Sequence, residues 1–444
     1  MIVRSLVVLS VLWTWWTEAT PTWAQAARSN ARTWKAVAEL SPQDRARIDF
    51  SVETPRHSKF PYLPAEPYPF SPPYTAEEMG FRAMEFPHQP RWSCVYADAG
   101  GSIDQWGHLI VQSHAVGLVA YRSPEGLVGE VYETTPGESF VTSLTQDIGP
   151  PEKYGNQSLF SRYRVDKTFT KKIDMFVYTS GLRRVRRQPQ PRRGDRFPNQ
   201  ASTFDDVFGR DAWEWSWQLL GTDVLYQTVR FPSTRTAITL ADAGGAFHDI
   251  STSEIKPMGK DYPAYTADGG VPCYVVEAKV REEWLPDYYA PRILYWLDQH
   301  AFYPLRVEEY DREGKLIFIE TRVAELRNPN LKELGYGMQI DLYWDLSTDL
   351  LTYSIHDGHQ LRQWTEEDRK AYFNPDFLRR VWFIGGVKSQ ADVRGPEEFF
   401  LRPALFEDKF PGERRIDLPS DLRARIDAQE KAGRLVFNEE QAKK

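Results

Sequence analysis

The sequence predicts a mainly β protein of the α+β class, built on one large antiparallel sheet. Three observations carry that prediction. Short runs of apolar, β-branched and aromatic residues recur from residue 91 to residue 355, punctuated by Gly and Pro. These runs follow one another without helical stretches between them, which favours an antiparallel sheet over a doubly wound one. Tyr310-Asp311-Arg312-Glu313-Gly314-Lys315 sets a glycine where a short hairpin loop needs φ > 0, so residues 293–326 read as a three-stranded meander.

A chain of 444 residues has room for one very large core or two to three ordinary ones. Its 41% hydrophobic and 26% charged residues are those of a soluble globular protein, and 15 tryptophans lift the aromatic share to 14%. A net charge of −7 argues against a nucleic-acid partner, which asks for a basic surface.

The N-terminus has the build of a secretory signal. Met1–Arg4 is positive, Ser5–Trp16 is apolar but too short to span a bilayer, and Ala24-Gln25-Ala26 fits the cleavage pattern. Residues 1–26 are therefore expected to be a signal peptide. No cysteine follows the cut to carry a lipid anchor, and no later stretch is long enough to span a membrane, so an exported, periplasmic protein is expected. Residues 27–74 form an extension: Ser41-Pro42 opens a short helix, and proline-rich 60–73 reads as an extended strap. Thr75-Ala76-Glu77-Glu78 is a capping box, predicting a helix from Ala76 that ends before Pro87.

Strands are predicted over 92–96, 108–114, 116–121, 129–134, 157–165 and 168–178. The last runs into IDMFVYTSGLRRVRRQ at residues 173–188, where an apolar strand with Met175, Phe176 and Tyr178 meets a Thr-Ser-Gly turn and then Arg183, Arg184, Arg186 and Arg187. The arginines have two readings. They capture an anionic head group or a partner, which the planar guanidinium suits, or they guard a solvated edge strand. Residues 189–211 form a long polar loop, expected to be mobile or functional. Asp205 and Asp206 read there as solvated loop acids, with half of a glycoside-hydrolysing carboxylate pair as the sharper alternative.

Trp213, Trp215 and Trp217 alternate strictly, which sets three indoles on one face of a strand. They line an apolar cavity, stack on a sugar or fill the core; Tyr295, Leu297, Tyr303 and Leu305 in the meander share these alternatives. His356-Asp357-Gly358-His359 reads as a turn, since two histidines across Asp-Gly make a poor metal site. Cys94 and Cys273 form either a disulfide or two buried thiols. Thr365 caps a short helix, Asn374-Pro375 restarts another, and Ser420 caps a last one. The chain contains no nucleophile elbow, phosphate-binding glycine loop or HExxH, and neither a catalytic group nor a metal or cofactor is expected.

The segment DMFVYTSGLRRVRRQP resembles the strand-turn-arginine signature of LolA/LolB-like periplasmic lipoprotein carriers. More closely, it is similar to the bacterial domain-of-unknown-function family 1329 (DUF1329). Trp215-Ser216-Trp217-Gln218-Leu219-Leu220-Gly221 resembles that family's aromatic-x-W-x-L-x-G element, and ILYWLDQHAFYPLRVEEYDREGKLI its aromatic strand, Asp and Tyr-Asp hairpin. The likeness extends from about Pro61 to Arg380 and includes PYTAEEMGFRAMEFPH. It implies a curved, unclosed LolA-like β-barrel over residues 75–383, with helices plugging or covering its concave face, and a C-terminal extension over 384–444. It further implies a carrier or chaperone for a hydrophobic or amphiphilic small molecule (a lipid, fatty acid or sterol-like compound), with a resistance-nodulation-type membrane exporter as partner. A carbohydrate-binding or carbohydrate-active protein and a non-catalytic envelope scaffold are the alternative readings.

Overall fold

Hairpin after hairpin assembles a single sheet, because most strands are followed by a neighbour close enough in sequence to pair with. The computed structural model describes residues 32–51, 53–56, 58, 64–65, 70–85, 93–105, 109–121, 136–149, 151–166, 168–226, 237–241, 247–251, 257–259, 261–326, 336–361, 364–380, 385–387 and 435–437. The chain divides into two units, Met1–Thr33 and Trp34–Lys444. Of the first, only Arg32 and Thr33 are described, and every described strand and helix lies in the second. The expected signal peptide, the strand at 129–134 and the helix after Ser420 lie outside the described residues.

In chain order the strands are β1 (Lys35–Ala36), β2 (Cys94–Ile103), β3 (Leu109–Tyr121), β4 (Ser139–Gly149), β5 (Gln157–Tyr163), β6 (Ile173–Thr179), β7 (Arg184–Gln188), β8 (Trp215–Leu225), β9 (Ala237–Ala241), β10 (Phe247–Ser251), β11 (Val271–Val280), β12 (Arg292–Asp298), β13 (Pro304–Tyr310), β14 (Leu316–Leu326), β15 (Tyr336–Asp345), β16 (Leu350–Leu361), β17 (Gly385–Val387) and β18 (Leu435–Phe437). Fourteen of them form one antiparallel sheet in the order β1-β8-β11-β12-β13-β14-β15-β16-β2-β3-β4-β5-β6-β7. The sheet does not close: β1 ends one side and β7 the other. β9 pairs with β10 and β17 with β18 outside it.

The four α-helices among the described residues are short: α1 (Pro42–Ala46), α2 (Ala76–Glu85), α3 (Phe204–Phe208) and α4 (Glu366–Tyr372). Each starts at a side-chain cap. Ser41 Oγ accepts from Asp44 N at 3.1 Å, and Thr75 and Glu78 cap reciprocally at 2.8 and 3.1 Å. Thr203 with Asp206 and Thr365 with Asp368 do the same.

The predicted meander is present as β12, β13 and β14. Asp298 explains the acid in its first turn: fully buried, it accepts the backbone N–H groups of His300, Ala301 and Tyr303 at 3.0, 2.7 and 2.6 Å. Gly314 takes φ +78° in the second turn. Two predicted strands, 108–114 and 116–121, are one continuous β3. His356–His359 is not a turn; it lies inside β16, where the Asp-Gly pair is accommodated by a bulge opposite Asp98 and Ala97. Nor does Trp213 lie on the strand. It sits in a 3₁₀ turn, Ala212–Glu214, whose ends Asp211 and Glu214 hold each other, and the strand begins at Trp215.

The sheet's inner face is the one carrying α2, which packs on β8, β11 and β12. Gly80 permits the approach: a Cβ there would lie 2.1 Å from the Trp217 ring. Tyr295 donates its hydroxyl to Met84 Sδ at 3.7 Å beneath the same helix. At the far end of the sheet the outer face is apolar, with Val116, Leu118, Leu144 and Leu159 buried. The C-terminal segment is tied to these strands by Trp364 Nε1 on Val119 O (2.9 Å) and Gln157 Nε2 on Arg380 O (2.6 Å). The 3₁₀ turn Phe377–Arg379 touches β5, β6 and β7.

Candidate functional site

Alternation sorts the sequence-predicted residues onto different faces. Met175 pairs with Phe160 and looks inward, whereas Phe176 and Tyr178 look outward with Leu159 and Gln157, so the three cannot line one cavity. Trp213 is buried edge-on against Trp284 at 4.3 Å, and Trp215 is fully buried against Tyr288 at 5.4 Å. Trp217 is half-buried and donates to Ala212 O at 2.9 Å. The three indoles therefore form no open stacking platform. Tyr295, Leu297, Tyr303 and Leu305 are buried core. Of the ten, Trp217 lines a cleft, about 590 Å³ between β8, the start of α2 and residues 37–54. Cys273 is a buried free thiol; the Cys94 side chain lies outside the described residues. The arginines form and flank β7, the sheet's edge strand.

The long loop is where the structure departs most from expectation. Asp205 and Asp206 are 4% and 1% exposed, so they are buried acids, not solvated ones. The reason is the pair of cations that the same loop supplies. Arg193 Nε binds Asp205 at 2.6 and 2.8 Å, while its two other nitrogens grip both oxygens of Glu214 at 2.8 and 2.9 Å. Arg210 reaches Asp206 at 2.8 Å, Glu309 at 2.5 Å and the hydroxyls of Tyr288 and Tyr289 at 3.0 and 2.9 Å. Lys172 lies 2.7 Å from Asp211. On the sheet beside them, Arg322 pairs with Glu320 at 2.5 Å and Asp341 at 3.2 Å.

Within this band four cations, Lys172, Arg193, Arg210 and Arg322, face seven carboxyls. Burial alone would raise every acid, and the nearest cation decides which escape. Arg193, followed by Lys172 and Arg210, overcomes burial and holds Asp205 down at about 2. Burial raises Glu309 to about 8; Arg210 opposes the rise and Asp206 adds to it. Burial lifts Asp341 to about 6 against the pull of Arg322. The space beside Asp205 and Arg193 is only about 30 Å³, roughly one water, so these acids hold a loop down with no room for a substrate.

The element they hold is a flap. Residues 197–208 lie over the inner face, fixed by Arg196 on Asp345 and by Ala201 N on Thr352 Oγ1 at 2.8 Å. Phe197 stacks on Phe204 at 4.0 Å, and Phe208 meets Phe160 of β5 at 5.0 Å. Beneath lies a cavity of about 250 Å³ walled by β2–β5 and β15–β16. Its lining mixes two chemistries. Phe197 and Phe208 of the flap and Phe160 of β5, the cross-strand partner of Ser143, give aromatic surface, while Ser113, Ser143, Thr145 and Ser354 give hydroxyls, with Asp98, Arg162 and His356 among them. On β4 the hydroxyls of Ser143 and Thr145 face in while Leu144 between them is fully buried on the outer face. In the sequence the flap shows only as the cap signal of α3, Thr203-Phe204-Asp205-Asp206, and the one-turn spacing of Phe204 and Phe208.

Residues 111–379 match the family model described as "Protein of unknown function (DUF1329)". Among solved structures the chain is similar to a DUF1329 family protein from Desulfovibrio piger, at 13% identity, over 65% of this chain and 92% of that one, with a TM-score of 0.43. It is similar to a Vibrio parahaemolyticus protein described as an outer membrane lipoprotein-sorting domain (14%, 65% and 92%, TM-score 0.42). It is also similar to a LolA superfamily protein from Nitrosomonas europaea (14%, 68% and 98%, TM-score 0.38). No curated protein matches.

Proposed function

The chain belongs to the DUF1329 family of proteins of unknown function, and from that premise we propose that it is a non-enzymatic binding protein for an amphiphilic small molecule. The observation that carries this reading is the cavity under the aromatic flap, whose lining interleaves phenylalanines with serine and threonine hydroxyls. An amphiphile suits that mixture: its apolar part lies against Phe160, Phe197 and Phe208, and its polar end takes hydrogen bonds from the serines and threonines. Burial supplies about 0.8 kcal/mol per methylene, so six methylenes give roughly 5 kcal/mol before ordering costs, with no catalytic group required. At about 250 Å³ the cavity is smaller than the 300–1,000 Å³ usual for ligand sites, so a full-length lipid needs more room than it offers with the flap in place.

Carriage in the periplasm accords with the signal-like N-terminus, and a resistance-nodulation-type exporter is the partner the family resemblance implies. Among the described residues no helix is long and apolar enough to cross a membrane. The test is organic extraction and mass spectrometry of protein purified without detergent, followed by titration of the stripped protein with a fluorescent fatty acid. Recovery of a bound amphiphile and saturable uptake are expected. Stripped protein that takes up no fatty acid, sterol or phospholipid refutes the proposal.

A further inference from the structure

The hairpin of β6 and β7 ends the sheet, and its turn carries a side chain that edge protection does not explain. Leu182 is 57% exposed, the highest among the described large hydrophobic side chains. It sits at the tip of a four-residue turn closed by Leu182 N on Thr179 O and Arg183 N on Ser180 O. Arg187 is engaged, reaching Asp174 at 2.5 and 3.1 Å, where Lys171 and Tyr163 also bind. Arg183, Arg184 and Arg186 are exposed and make no ion pair or side-chain hydrogen bond among the described residues. The adjacent 3₁₀ turn Phe377–Arg379 adds Arg379, 69% exposed and 4.0 Å from the exposed carboxylate of Asp376. Three unpaired arginines, Arg183, Arg184 and Arg186, thus gather on this hairpin of a chain whose net charge is −7. An edge strand needs charge to repel another strand; it does not need an exposed leucine between those charges.

The geometry points to this hairpin tip as a docking surface for an anionic phospholipid bilayer. The guanidinium groups match lipid phosphates, and Leu182 enters the boundary between head groups and acyl chains. A protein partner is the poorer fit. A stable protein interface wants a broad patch with a packed apolar centre, and Leu182 is a lone apolar tip among extended cations. The surface is separate from the cavity, so this inference and the ligand-binding reading fail independently.

The experiment is flotation of the purified protein with vesicles of phosphatidylethanolamine and phosphatidylglycerol, or of phosphatidylcholine alone, at low and high salt. Binding to the anionic vesicles only, weakened by salt, is expected. Arg184→Gln with Arg186→Gln lowers it about 25-fold, roughly fivefold per arginine, and Leu182→Ser lowers it about tenfold. These side chains hold nothing in the fold, so the thermal midpoint and fatty-acid uptake in solution stay unchanged. Every variant keeps the same N-terminus, so a contact made there cannot produce the difference. Equal binding to phosphatidylcholine, no vesicle binding, or binding undiminished in the double variant overturns the inference. So does an arginine-dependent protein complex formed without vesicle binding.

Discussion

Replacing Glu309 by Gln tests whether the buried charge band holds a proton, and the sign of its effect follows from the structure. Glu309 is 1% exposed on β13, facing Arg210 and Asp206. Its carboxyl is raised from an ordinary 4.5 to about 8 in the folded protein. A raised acid favours the folded state while protonated, so its stabilising effect is complete below pH 4.5 and is lost as the pH rises towards 8. Between those limits the folded state binds more protons than the unfolded one, and stability falls by about 1.4 kcal/mol per pH unit. From pH 5 to pH 8 that amounts to roughly 3–4 kcal/mol. Asp341, raised to about 6, acts with the same sign over a lower range. Glutamine keeps the shape and cannot ionise, so Glu309→Gln matches the parent near pH 5 and exceeds it by about 3 kcal/mol at pH 8. Urea unfolding followed by tryptophan fluorescence at each pH reads this directly. Parallel pH profiles for parent and variant would refute the assignment of a protonated, buried Glu309.

Three further outcomes are expected. Gly80→Ala places a methyl 2.1 Å from the Trp217 ring; overpacking of about 1–3 kcal/mol then outweighs alanine's helix preference of about 1, and a raised thermal midpoint would contradict it. Asp298→Ala strips three backbone N–H groups, two of them buried, of their acceptor and costs about 3 kcal/mol, measured by denaturant unfolding. Ser143→Phe fills the cavity beneath the flap and abolishes fatty-acid uptake; a variant that binds as the parent does shows that the ligand sits elsewhere.

The elements most legible in the sequence are those whose causes are local. The capping box of Thr75 and Glu78 opens α2 where the residues say it should, and Asp311 to Gly314 turns β13 into β14. The apolar run, turn and arginine run at residues 173–188 become β6 and β7. Local reasoning failed where a short-range bond competed with periodicity. Trp213 keeps the spacing of Trp215 and Trp217, yet Asp211 and Glu214 bind each other around it and wind the chain into a turn.

Alternation along a strand determines that Met175 and Phe176 face opposite ways; it does not say which way is in. Tertiary structure decides that by what lies on each face: α2 and the flap on one, the C-terminal segment on the other. It also decides which charges survive burial. Asp205 and Asp206 look like solvated loop acids until Arg193 and Arg210 close on them, and the loop becomes a flap only because Arg210 finds Glu309 and Arg196 finds Asp345, 99 and 149 residues away. The strands, their turns and the arginine edge could be read from the residues, because near neighbours in the chain set them. The cavity and the buried charges came from the tertiary structure, since desolvation and pairing depend on groups brought together across the whole chain.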